Sequence, residues 1–167
     1  CHMALSATSV DEDESGGGGG SLATADVDVG DTHSYSVDGA RFEVVGGELK
    51  LKDGVSLNHE AESSVAVEVT TTDADGANYS ETFNIAVSDV NEGPADISLS
   101  NASVDENASG AVVGTLSTTD VDAGDTHTYA VDDARFEVVG GELKLKDGVS
   151  LDFNTDPSVD VTVTTTD

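Results

Sequence analysis

ARFEVVGGELKLKDGVSL fills Ala40–Leu57, and the same eighteen residues return unchanged at Ala134–Leu151, 94 positions later. Inside the run Leu49 and Leu51 alternate with Lys50 and Lys52, a period of two that places the lysines on the wet face of a half-buried strand. Gly46-Gly47 separates this stretch from Phe42–Val45, and Asp53-Gly54 closes it; both dipeptides tolerate positive φ and mark tight turns. The run therefore reads as a β-hairpin, met twice.

The 94-residue offset holds outside the run. Val10-Asp11-Glu12 matches Val104-Asp105-Glu106, Asp26-Val27-Asp28 matches Asp120-Val121-Asp122, and Thr70–Asp73 matches Thr164–Asp167. Such a period exceeds a solenoid unit and suits one small domain. Alternation recurs at Val65, Val67 and Val69 and at Phe83, Ile85 and Val87, while helical spacing appears nowhere at length. About seven short strands per repeat predict an all-β fold of tandem antiparallel Greek-key β-sandwiches. Expected boundaries are 1–3 for a tag remnant, 4–94 for repeat 1 with a linker at 89–94, and 95–167 for repeat 2. Repeat 2 stops at Asp167, so it lacks a counterpart of 74–94 and with it the last strand. Gly16–Gly20 stands where repeat 2 has Gly110–Gly114, and predicts a loose or missing strand segment in repeat 1.

Composition excludes several functions. Six Lys plus Arg against 34 Asp plus Glu give a net charge of -28, which no nucleic-acid backbone would bind. No apolar run reaches the roughly 18 residues of a membrane helix. One cysteine, Cys1, allows no internal disulfide, and Cys1-His2-Met3 reads as a cloning remnant. No signal peptide is visible, so the chain reads as cut from a longer protein. There is no Ser-His-Asp motif, no nucleophilic cysteine and no phosphate loop, and three Tyr with four Phe give little material for a sugar cleft. Tyr35 and Tyr129 read as core positions. The expectation is a protein that is not an enzyme.

The acidic residues gather in short motifs at expected strand ends. Such sites suit a hard cation, and calcium takes six to eight oxygens from carboxylates, amides and carbonyls. Any one motif is as easily a turn; the same motifs in the same order in both repeats favour ligation. Asp26 does not open an EF-hand, since positions 5 and 12 would be Gly30 and Val37, and the GGxGxD repeat is absent. Zinc would need His or Cys clusters; His33 and His127 are expected at the surface, and His59 in the LNHE turn.

The order Glu in VDE, then TDxDxG, then LNHE or LDFN, then TTTD, then DVNEGP resembles that of cadherin repeats, above all the cadherin-like tandem repeats of large bacterial surface adhesins. The resemblance spans both repeats. It implies a cadherin/Ig-like sandwich with Ca2+ held at the junction of successive domains. Carried over by position, the implied ligands are Glu12, Asn58 and Glu60 from repeat 1, Asp89 and Asn91 from the linker, and Asp120, Asp122 and Asp167 from repeat 2. Asp26, Asp28 and Asp73 would serve a preceding junction. Departures are Asn58 where the family has Asp, Asn154 where it has Glu, and a linker less acidic than usual. The implied function is a calcium-binding structural and adhesion repeat that rigidifies an extended, extracellular bacterial protein. The implied partners are calcium and other repeats. The alternative is a module binding surface carbohydrate or protein, with calcium as support. A weakened repeat 2 with some tendency to dimerise is also expected.

Overall fold

The computed structural model describes residues 2–26 and 32–167, which are strands, turns and loops without a helix. Among the described residues no helix is long and apolar enough to cross a membrane. The chain divides into two compact units, Cys1–Val90 and Asn91–Asp167. Each is a β-sandwich, so the predicted fold class holds.

Among its described residues unit 1 has eight strands: β1 (His2–Leu5), β2 (Ser9–Asp11), β3 (Gly18–Ala25), β4 (Ser34–Val37), β5 (Phe42–Val45), β6 (Glu48–Leu51), β7 (Ser64–Thr72) and β8 (Asn78–Ser88). They form two four-stranded sheets, ordered β1-β3-β6-β5 and β2-β8-β7-β4. The first strand thus splits: β1 joins one sheet, and β2 crosses to the other. There it pairs parallel with β8, an exception to the antiparallel rule (Val10 opposite Val87). The repeated run forms a hairpin across Gly46-Gly47, with Phe42 opposite Leu51 and Val44 opposite Leu49. Leu49, Leu51, Val65, Val67, Val69, Ile85 and Val87 meet in the core, each 4% exposed or less.

Two expectations for unit 1 need correction. The glycine run does not leave a gap, because ladder hydrogen bonds need no side chain. Gly18–Gly20 pair with Lys50 and Leu49 of β6 through a local shift in register. The repeat position Gly20/Gly114 is glycine for a reason of space. A methyl group would lie 2.5 Å from the Ala7 nitrogen in unit 1 and 2.7 Å from the Asn101 nitrogen in unit 2. Nor does the fold set His2 and Met3 aside, whatever their origin. They begin β1, and Met3, only 1% exposed, occupies the position that Ile97 takes in the second repeat.

Unit 2 contains β9 (Asp96–Leu99), β10 (Val112–Thr119), β11 (Thr128–Val131), β12 (Phe136–Val139), β13 (Glu142–Leu145) and β14 (Val163–Thr166). One sheet is whole, β12-β13-β10-β9, and the other is only β11-β14. Among the described residues nothing in unit 2 corresponds to β8. Residues 103–105, equivalent to β2, are not a strand, and neither are residues 158–162, equivalent to the first half of β7. A parallel edge strand and half of a central strand both depend on β8 for their ladder bonds, so all three are lost together.

Candidate metal centre

In unit 1 the carboxylates divide between the two ends of β8. Thr72 at the end of β7 faces Asn78, and Asp11 at the end of β2 faces Ser88. Ten steps of strand separate these ends by about 33 Å at ~3.3 Å per residue. Glu12, Glu60 and Asp89 gather at the Ser88 end, and one carboxylate oxygen from each lies within 4.8 Å of the others. Oxygens on a calcium ion sit about 2.3–2.6 Å from it, so this spacing lets one ion reach all three.

Glu12 anchors the group. It is 3% exposed, yet its shortest hydrogen bonds do not come from a cationic side chain. Instead the His59 N–H donates to Oε2 and the Val90 N–H to Oε1, both at 2.7 Å. These two bonds hold its carboxyl below the ordinary glutamate range, the His59 contribution being the larger. Each oxygen keeps a further lone pair for a cation. The His59 ring fixes the turn by donating from Nδ1 to the Val87 carbonyl at 2.7 Å, and that bond raises its pKa. Asn58 closes the same turn: Oδ1 accepts from the Ala61 N–H at 2.8 Å, and Nδ2 donates to Glu60 Oε2 at 3.0 Å. Asn58 thus positions Glu60 in this arrangement, its own amide oxygen being engaged by the backbone.

In unit 2, Asp120 follows β10 and Asp167 follows β14. Their carboxylates gather with that of Asp125, again within 4.8 Å. Asp120 has a side chain only 4% exposed and accepts from His127 Nε2 at 2.9 Å. That bond, helped by the Asp122 N–H, holds its carboxyl below the ordinary range. His127 is therefore not the surface residue expected; its side chain is 13% exposed. In unit 1 His33 is equally covered and lies 3.6 Å from Asp26. Asp28 lies outside the described residues.

The linker residues are gripped by the same acids. Asn91 Nδ2 donates to Asp167 Oδ2 at 2.7 Å, and the Glu92 N–H donates to Asp122 Oδ2 at 2.7 Å. The other oxygen, Asp122 Oδ1, is buried with no hydrogen-bond partner. A buried anionic oxygen with no donor costs free energy unless something positive meets it. Oxygen-only donors, their mutual spacing and this orphaned oxygen fit a hard divalent cation.

Sequence reasoning missed Asp125. The signal was present, since DVDVGD at Asp26–Asp31 and DVDAGD at Asp120–Asp125 share their final Asp as well as the first two. Glu106, the counterpart of Glu12, is exposed and receives only one longer bond, 3.3 Å from the Phe153 N–H. Asp152 caps its own turn through the Asn154 N–H at 2.9 Å.

No family model matches the chain, and no curated protein sequence matches it. Solved structures do match in fold. The human protocadherin-24 EC1-2 structure gives a TM-score of 0.69 at 23% identity, covering 92% of this chain and 79% of that one. Protocadherin gamma B2 extracellular cadherin domains 3-6 give 0.68 at 20% identity, covering 98% of this chain. Protocadherin gamma B7 extracellular cadherin domains 1-4 give 0.64 at 21% identity. The chain spans 43% and 45% of the length of these last two. The fold is therefore cadherin-like.

Proposed function

We propose that the chain is a non-catalytic pair of calcium-binding repeats belonging to an extended adhesion protein of the bacterial surface or secreted space. The observation that carries this reading is the pair of carboxylate triads, Glu12–Glu60–Asp89 in unit 1 and Asp120–Asp125–Asp167 in unit 2. The near-identical duplication supports an array of repeats, and the cadherin-like fold supports an adhesion role.

The chain's own part is electrostatic. Carboxylates about 4 Å apart repel by about 1 kcal/mol per pair in water and by up to about 4 at a lower effective dielectric. Glu12, Glu60 and Asp89 would supply oxygens in unit 1, and Asp120, Asp122, Asp125 and Asp167 in unit 2, with Asn58 orienting Glu60 and Asn91 orienting Asp167. Bound calcium would supply two positive charges that turn this repulsion into attraction, at the millimolar concentrations of extracellular fluids. Glu12 and Asp122 hold the N–H groups of Val90 and Glu92, so ordering the acids orders the segment that joins the units. Stiffening of that segment is the output, and other repeats of the same kind are the natural partners. Carbohydrate recognition has less support: Tyr35 and Tyr129 spend their hydroxyls on Thr24 at 3.0 Å and Thr118 at 2.8 Å.

Asp120→Ala and Asp122→Ala should each weaken calcium binding at least tenfold while unit 1 keeps its dispersed NMR spectrum. A double variant that binds calcium as the parent does would contradict the ligand assignment.

A further inference from the structure

Unit 2 holds an open apolar groove of about 870 Å3 whose walls include Val104, Leu116, Phe136, Leu151, Val159 and Val161. The repeat itself identifies what such a groove takes. In unit 1 the equivalent of Val159 is Val65, which faces Ile85 of β8; that of Val161 is Val67, which faces Phe83; and that of Val104 is Val10, which faces Val87. There Val10, Val65 and Val67 are buried to 4% exposure or less, and Ile85 and Val87 fill the core beside them. In unit 2, Val104, Val159 and Val161 remain only partly covered. Two flanking backbone segments, 103–105 and 158–161, belong to no strand, and Thr162 is bonded only on its other side, to Asp132. Apolar walls between two unpaired backbones form a template for one extended strand.

We infer that the groove of unit 2 is an acceptor for a β-strand of the β8 type, an extended segment with large apolar residues at alternate positions. It runs antiparallel to 158–166 and parallel to 103–105. The register is fixed by the repeat: the donor's Ile85-like residue faces Val159, its Phe83-like residue Val161 and its Val87-like residue Val104. Backbone bonding draws 103–105 and 158–162 into strands as the donor seats. The inference does not depend on calcium.

The test adds a synthetic peptide of the β8 sequence, Asn78–Ser88, to the full isotopically labelled chain at constant calcium. Expected are saturable binding, amide protection appearing within 103–105 and 158–161, and unit 1 resonances unmoved. A peptide carrying Phe83→Ser, Ile85→Ser and Val87→Ser should bind at least tenfold more weakly. Val159→Thr in the protein, a change of similar volume, should weaken the parent peptide while unit 2 keeps its dispersed spectrum. Equal binding of both peptides, or no saturation at millimolar peptide, overturns the inference. So does a chain that self-associates through 158–163 and keeps its partner copy when peptide is added, since the occupant is then a second copy.

Discussion

Units 1 and 2 carry the same eighteen-residue hairpin, and it adopts the same pairing in both: Phe42 faces Leu51, and Phe136 faces Leu145. Its core leucines are sealed in both, Leu49 and Leu51 at 0% and Leu143 and Leu145 at 3% and 0%. The hydroxyl cluster also repeats, Thr24 with Tyr35 and Thr71, Thr118 with Tyr129 and Thr165. The opposite sheet does not repeat. Val10 and Leu57 are buried, whereas Val104 and Leu151 are not. Glu12 is locked by two short backbone bonds, whereas Glu106 is exposed. Local pattern specifies a hairpin by itself. A sheet joined by long-range pairing stands or falls with its central member, here β8.

The largest effect should come from erasing the difference. A chain in which the 74–94 sequence is repeated after Asp167 regains three apolar side chains in unit 2, worth roughly 1.5–3 kcal/mol each when buried. Domains are stabilised by only about 5–15 kcal/mol. At about 4–8 °C per kcal/mol for a domain of this size, unit 2 should melt at least ~10 °C higher by calorimetry. Any dimer formed by the parent should also disappear in sedimentation. An unchanged melting temperature and equal self-association would mean that the absent strand is not what separates the units.

A smaller effect sharpens the same contrast from the other side. Val65→Ala removes two methyl groups from a site 4% exposed and should cost about 2 kcal/mol. Val159→Ala, at the equivalent but open position, should cost less than half as much in urea unfolding followed unit by unit. Equal costs would show that 158–162 is as well packed as β7.

The smallest contrast lies in charge. Arg135 binds Asp133 at 2.7 Å and approaches Asp156 at 3.5 Å, whereas unit 1 has Gly39 at the position of Asp133 and pairs Arg41 with Glu62. The guanidinium, then the Arg135 N–H, holds the Asp133 carboxyl down from 3.8 to about 2. A depressed carboxyl stabilises the folded state above its unfolded pKa, and that contribution is lost as pH falls through the folded value. Unit 2 should therefore lose this contribution between about pH 4 and pH 2, and Asp133→Gly should flatten the acid limb of its stability curve. An identical acid limb in the variant would remove Asp133 from the account.

Strand periodicity, the Gly46-Gly47 turn and the order of acidic motifs were legible because each is a local signal. Four features were not. The glycine run pairs through its backbone, which leaves no side-chain pattern to read. Met3 looks foreign in sequence, but its volume suits a core site filled by isoleucine in the other repeat. His127 is drawn inward by Asp120, seven residues away, so its burial follows from a partner rather than from its neighbours. The loss of strand at 103–105 and 158–162 follows from the lack of a β8 counterpart in unit 2, a long-range partner that the local pattern of neither segment announces. Glu12, Glu60, Asp89, Asp120 and Asp167 were each picked out from their own motifs, but how they group in space was not, and Asp125 escaped because a Gly-Asp pair also reads as an ordinary turn.

Calcium binding by the two carboxylate clusters is the central claim, and isothermal calorimetry on the full chain tests it most directly. Calcium added to chelator-stripped protein should give a saturable isotherm with an apparent Kd at or below about 1 mM, within the range of extracellular modules. Glu12→Gln and Asp120→Ala should each remove part of that heat. No saturable heat up to about 10 mM calcium, ten times the weakest such affinity, would contradict the account.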